Sequence, residues 1–354
     1  MDLKELGQLF ITGISGLVLT EEEKTFIEEN NIGGVILFKH NYKDPAQLAE
    51  LVNSIQKLRD EYPLFISVDQ EGGRVKRFQT HFTQFPSMAE IAKHDSPKLT
   101  FEVHKVLADE LAACGINLNY SPVCDIFNNP QNKVIGDRAF ATNHEDVSKH
   151  VSAAIRGLHT GKILACAKHF PGHGNTSKDS HYDLPYVTIP LDELESRELQ
   201  PFQKASKSRV EFMMMAHLVV DAIDPKLPCT LSPKAYEYLR EKLKYNRIII
   251  TDDMEMQAVA DHYSIGEACV MSIEAGADIV LYRSLAATQE AFTALKEAIR
   301  TQKISKDEIE AKTKRVRLCK QAHLAEYKPI YIPDLAKKIG TKKHLELLEK
   351  ITQP

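Results

Sequence analysis

Short runs of consecutive apolar residues alternate along this chain with longer stretches in which apolar positions recur every three or four residues. The short runs are LFITGI (9–14), GGVILF (33–38), LFISVD (64–69), INLNYSPVCDI (116–126), ILACAKHF (163–170), FMMMAH (212–217), RIIITDD (247–253) and DIVLY (278–282). Unbroken apolarity over so few residues predicts strands buried on both faces, as in a parallel sheet. Between them, TEEEKTFIEEN, DPAQLAELVNSIQKLRDEY, SPKLTFEVHKVLADELAACG, NHEDVSKHVSAAIRGLHTG and SPKAYEYLREKLK carry helical periodicity. Each opens on Thr, Asp, Ser or Asn, whose side chain can accept from the first free N–H groups of a helix.

Eight buried strands alternating with helices predict an α/β protein, a single (β/α)8 barrel. The competing architecture, a doubly wound open sheet, needs a glycine-rich phosphate loop after its first strand. GISGLVL is a poor match to it. LGQLFITGISGLVL near the start has no basic flank and is too short to span a bilayer, so it is read as an opening strand and turn. Residues 1–335 are expected to form the barrel and 336–354 a helical tail on its outside.

Composition narrows the partners. The chain has 354 residues, 43% of them hydrophobic and 27% charged, with a formal net charge of −4. That is a soluble composition without the basic excess of a nucleic-acid binder. The six cysteines (Cys114, Cys124, Cys166, Cys229, Cys269 and Cys319) are scattered, which reads as reduced thiols in a cytoplasmic protein.

Reactive residues collect at the C-terminal ends of the predicted strands, the end of a barrel that carries chemistry. One strand ends in Asp69 and runs into QEGGRVKRF. Another ends in Lys168-His169 and runs into FPGHGNTSKDSHYDLP. Others end in His217 and in Asp252-Asp253. Of the paired aspartates, one is read as catalytic and the other as a cap for the following helix. Asp69 beside Arg74 and Arg77, on a turn made by Gly72-Gly73, can hydrogen-bond vicinal hydroxyls. In the loop after Lys168-His169, Asp179 stands two residues before His181, and a carboxylate there can fix the tautomer of the imidazole and raise its basicity. Ligation of a metal by His169, His173 and His181 is the competing reading of that loop, with His173 the likeliest of the three to be structural.

VDQEGGRVKRF, VIGDRAF, CAKHFPGHGNTSKDSHYDLP and IITDDMEM resemble, in the same order, the motifs of β-N-acetylglucosaminidases (β-hexosaminidases) of glycoside hydrolase family 3. The resemblance runs from about residue 5 to residue 320. It implies a single barrel without a sandwich domain and a retaining mechanism. Asp252 is then the nucleophile, and His181, paired with Asp179, the general acid/base. By the same resemblance Asp69, Arg77, Arg138, Lys168 and His169 hold the N-acetylglucosamine ring. It calls for no metal or other cofactor. The implied partner is a small carbohydrate, an N-acetylglucosaminyl-anhydromuramyl peptide of peptidoglycan recycling in a bacterium, and the protein is expected to be monomeric and bound to neither membrane nor nucleic acid. One departure is Asn175, where the family has Asp after GHG, which removes a charge from the loop. A phosphorylase or β-glucosidase of the same fold, a metal-dependent barrel hydrolase and a sugar-binding module without activity are the competing functions.

Overall fold

The computed structural model describes residues 3–176, 184–324 and 327–352. Among these, eight parallel strands close into a barrel in the order β1-β10-β9-β7-β5-β4-β3-β2. They are β1 (Phe10–Gly13), β2 (Gly34–Leu37), β3 (Phe65–Val68), β4 (Leu118–Asn119), β5 (Leu164–Phe170), β7 (Phe212–Met215), β9 (Ile248–Asp253) and β10 (Ile279–Tyr282). Two short strands outside the barrel, β6 (Tyr186–Val187) and β8 (Val219–Val220), pair with each other in parallel. The barrel expected from the hydrophobic pattern is therefore the one observed.

The strands are buried along nearly their whole length, which is why they read as apolar runs with no alternation. Helices lie outside them and start where the sequence signals say. Thr20 and Ser305 close capping boxes with Glu23 and Glu308, and Asp44, Ser96 and Asn143 cap the helices Pro45–Gln56, Pro97–Ala113 and His144–Thr160. Each cap satisfies an otherwise orphaned backbone donor, a contribution of about 1 kcal/mol.

Two expectations need correction. The run 116–126 forms a regular strand only at Leu118–Asn119, with one further bridge from Val123 to Lys168. Pro122 has no N–H to offer a ladder, and the Asn119 side chain takes up pairing instead, accepting from Gln70 N and donating to Gln70 O. The segment SPKAYEYLREKLK is α-helical only at Pro233–Glu237 and then widens into a π-turn over Tyr238–Lys242.

The end of the chain forms a short 3-10 turn, Ile332–Lys337, and a helix, Lys342–Thr352. Buried Glu110 ties this region to the barrel, accepting from Gly340 N, from His344 Nδ1 and from the Thr83 hydroxyl. All six cysteines are free thiols. No helix of the described residues is long and apolar enough to cross a membrane.

Candidate active site

The C-terminal ends of the strands surround a cavity of about 840 Å³, whose lining includes Asp69, Arg77, Asp252, Asp253, Glu255 and Arg283. Phe38, Tyr120 and Met214 supply apolar wall. A mixed wall of this kind suits a sugar, which shows apolar C–H faces and hydroxyl edges.

One side of the cavity is built on a continuous network of charges. Asp69, just past the end of β3, accepts from Arg77 Nη2 at 3.0 Å and from Lys168 Nζ at 2.7 Å. Lys168, near the end of β5, also reaches Glu71 Oε1 at 2.6 Å. Arg138 grips Glu71 with two bonds of 2.9 and 2.8 Å and comes within 3.4 Å of His169 Nε2. His169 Nδ1 in turn meets Asp125 Oδ2 at 2.7 Å. Exposure falls along the network from 28% for the Arg77 side chain to 17% for Asp69 and 2% for Lys168 and Glu71. Arg77 and Asp69 therefore face the cavity, and Lys168, Arg138 and His169 stand behind them.

Burial opposes ionisation of Asp69, but Lys168 and Arg77 outweigh it and hold the carboxyl below its ordinary value. Burial likewise works against the Lys168 ammonium, and Asp69 and Glu71 raise it above the usual lysine range. Charges buried this deeply add little net stability; what they provide is a rigid row of oriented donors and acceptors. Within it, Arg77 Nε is buried and has no hydrogen-bond partner among the described residues.

Across the cavity, β9 ends in Asp252 and Asp253, whose environments differ. Among the described residues Asp252 accepts one hydrogen bond, at 2.7 Å, from the N–H of Asp253. Burial pushes the Asp252 carboxyl up, and His169, His217, that N–H and Lys168 together pull it below its ordinary value. It is a carboxylate at neutral pH, and among the described residues its other acceptor positions are unfilled. Asp253 is engaged by Glu255 N at 3.0 Å and by Arg283 Nε at 2.8 Å. Burial nevertheless pushes its carboxyl up to about 7, against the pull of Arg283. Neither aspartate caps the next helix, Gln257–Ala260, whose N-cap position is Met256; Asp253 closes a turn and an ion pair instead.

The loop after β5 is anchored from beneath. Asp125 accepts from the N–H groups of His169 and His173, and Asn132 Nδ2 donates to His173 O at 2.7 Å. A Cβ at Gly174 would lie 1.7 Å from Ile126 O, so only glycine fits there. His173 is buried, bonded to the Thr176 hydroxyl, and its pKa is lowered by burial to about 4. It shapes the loop base. Asp179 and His181, the expected acid/base pair, lie outside the described residues.

Arg74 does not join Asp69. The tight turn at Gly72 and Gly73, both at positive φ, directs Arg74 away, where it donates to the carbonyls of Lys133 and Val134 and pairs with Asp137. It braces the segment that carries Arg138. Glu71 and Asp125, which hold Lys168, Arg138 and His169, were not singled out from the sequence. Both lie in or just past quoted motifs or strand runs, yet a carboxylate that acts by holding other side chains has no linear signature. Arg283 and Glu255 were missed for the same reason.

The chain matches the glycosyl hydrolase family 3 N-terminal domain over residues 2–318. It is 38% identical over 283 residues to a β-hexosaminidase of Alkalilimnicola ehrlichii, covering 78% of this chain and 80% of that one. It is 40% identical over 282 residues to a β-hexosaminidase of Neisseria meningitidis serogroup C, covering 77% of each. Among solved structures, a glycoside hydrolase family 3 β-N-acetylglucosaminidase from Paenibacillus sp. superposes with a TM-score of 0.92 at 35% identity, over 99% of this chain and 68% of that one.

Proposed function

This chain belongs to glycosyl hydrolase family 3, and from that premise we propose that it is a retaining β-N-acetylglucosaminidase that removes terminal non-reducing N-acetylglucosamine. The observation that carries the reading is the pairing, across one cavity, of an ionised Asp252, which accepts a single bond among the described residues, with the Asp69–Arg77 face of a buried charge network. A neutral pyranose presents several hydroxyls, and charged groups that are already neutralised by one another can donate to and accept from them without a net-charge mismatch.

In this reading Asp252 attacks C1 while His181, oriented by Asp179, protonates the departing oxygen. The C1–O bond to the aglycone breaks as the C1–Oδ bond forms. His181 then takes a proton from water, which attacks C1 and frees Asp252. Asp69, Arg77, Lys168, Arg138 and His169 hold the sugar, the first two by facing the cavity and the others by fixing them. The proposed substrate is an N-acetylglucosaminyl-anhydromuramyl peptide of peptidoglycan recycling, met by a monomer in the cytoplasm. The chemistry described needs only these side chains and water.

The test is hydrolysis of an aryl N-acetyl-β-glucosaminide beside the matching β-glucoside, in buffers with and without phosphate. Preference for the acetamido sugar and release of free sugar support the proposal. Equal rates on both glycosides, or sugar 1-phosphate as the product in phosphate, would overturn it.

A further inference from the structure

His217 occupies a position that the proposed chemistry has not used. It follows the apolar run Phe212–Met215 and Ala216, and it is 1% exposed. Its Nε2 lies 2.9 Å from the carbonyl oxygen of Asp253. A carbonyl can only accept, so Nε2 carries the proton. In the neutral ring Nδ1 is then a bare acceptor, and it is buried without a partner among the described residues. Burial lowers the pKa of this imidazole and favours its neutral form, against the pull of Asp252 and the Asp253 carbonyl. A buried acceptor that is left unpaired costs about 1–3 kcal/mol, a cost that an apolar side chain would not carry.

The backbone on either side of His217 shows what it joins. Ala216 N donates at 2.8 Å to Phe170 O, where β5 delivers the chain into the loop. Val219 N donates at 3.0 Å to Pro185 O, and Asp221 N at 3.2 Å to Val187 O, where the chain returns from that loop. Both ends of the loop thus hang on the residues flanking His217. Its ring meanwhile grips the carbonyl of Asp253, whose own N–H is the donor to Asp252 Oδ1.

We propose that His217 is a positioning residue that couples the nucleophile to the anchors of the acid/base loop. Its Nε2–H holds the carbonyl of the Asp253–Met254 peptide, and through the Asp253 Cα it restrains the preceding peptide, whose N–H orients the Asp252 carboxylate relative to Phe170 and Pro185. The proposal rests on Asp252 being the nucleophile. Reacting groups displaced by about 1 Å can lose ~10²-fold in rate, and without His217 the Asp253 carbonyl keeps only the bond from Met256 N among the described residues.

The experiment measures the rate at which a fluorinated, activated N-acetylglucosaminyl donor labels the protein, with the labelled peptide identified by mass spectrometry. Wild type, His217→Gln and His217→Phe are compared, along with binding of N-acetylglucosamine and the melting temperature of each. Gln can place an amide N–H where Nε2 stands; Phe cannot. The expected result is Asp252 labelling slowed ~10²-fold in the Phe variant and restored to within ~10-fold of wild type by Gln, with sugar binding changed no more than ~3-fold in either. Wild-type labelling rate in the Phe variant overturns the proposal, as do equal losses in both variants or a loss matched by weaker sugar binding. Label on a residue other than Asp252 in wild type overturns the nucleophile assignment itself, which separates the two failures. Should the Phe variant not fold, His217→Asn takes its place, since its shorter amide cannot reach the Asp253 carbonyl.

Discussion

The two ends of the barrel both bury aspartates among cations, and they use them differently. At the N-terminal end Asp278, fully buried just before β10, accepts from Arg240 Nη2 at 2.5 Å, Arg315 Nε at 2.7 Å and Ile249 N at 2.9 Å. A carboxylate offers about four lone-pair positions, and these are mostly taken. Nearby on that end, Lys320 is buried with Nζ on Gln8 Oε1 and Gly33 O. At the C-terminal end Asp252 is buried too, yet among the described residues it accepts one bond and faces an open cavity. Burial beside cationic side chains is common to both. Acceptor capacity unused among the described residues, opposite a cavity, distinguishes Asp252, the proposed nucleophile, from the group that holds the chain together.

The sharpest way to break that comparison is to truncate both carboxylates. Asp252→Ala is expected to lower kcat by ~10⁴-fold or more, since no covalent intermediate can form, while unfolding midpoints in urea stay near wild type. Asp278→Ala leaves two guanidinium groups without their shared partner, and the expected cost is about 3–5 kcal/mol of stability with near-normal activity in the molecules that remain folded. Reversed outcomes would mean that the catalytic end has been misidentified.

Next in size comes His181. Its replacement by Ala should cost ~10²–10⁴-fold on substrates whose leaving group needs a proton and much less in the first step on a nitrophenyl substrate. In that second case a burst should appear and azide should restore turnover. Equal losses on both substrate classes without azide rescue would reduce His181 to a loop residue.

Lys168 lies between the extremes, being buried like Asp278 and yet bonded to cavity-facing Asp69. Lys168→Met should lower kcat/KM by ~30-fold or more and also destabilise the fold, because Glu71 and Asp69 lose a shared cation. An effect on stability alone would move it to the structural side of the comparison.

The smallest effect concerns Asp253. Its carboxyl titrates near 7 in the folded protein against about 3.9 when unfolded. Between those values the folded state holds an extra proton, so this group's contribution to stability is present below about 4 and is lost as pH rises toward 7. Asp253→Asn should remove up to ~1.4 kcal/mol per pH unit of that slope, read by urea denaturation at pH 5, 6 and 7. An unchanged slope would place the titration elsewhere.

Local chemistry was legible in the sequence wherever neighbours along the chain decide it. Continuous apolar runs announced parallel strands because a strand covered on both faces has no polar side to show. Ser, Thr, Asp and Asn marked helix starts because the donors they satisfy lie two or three residues on. The strand-end position of Asp69, Lys168, His169, His217 and Asp252 followed from the same pattern, since a closed barrel brings all such ends together. The extent of β4 was misjudged where Pro122 and the Asn119 side chain interrupt the ladder.

What the tertiary structure alone decided is which of these polar residues face the cavity and which hold the others. Arg74 and Arg77 look alike in sequence, yet one braces the Val134 carbonyl and the other reaches Asp69. Asp252 and Asp253 are adjacent, yet one is held below the usual carboxylate range and the other pushed up to about 7. Glu71, Asp125 and His217 bond to partners 67, 44 and 36 residues away. Propensity, periodicity and capping are governed by interactions within a few residues, so a single sequence carries them. Burial, charge pairing and hydrogen-bond saturation depend on groups that only closure of the barrel brings within 3 Å of one another.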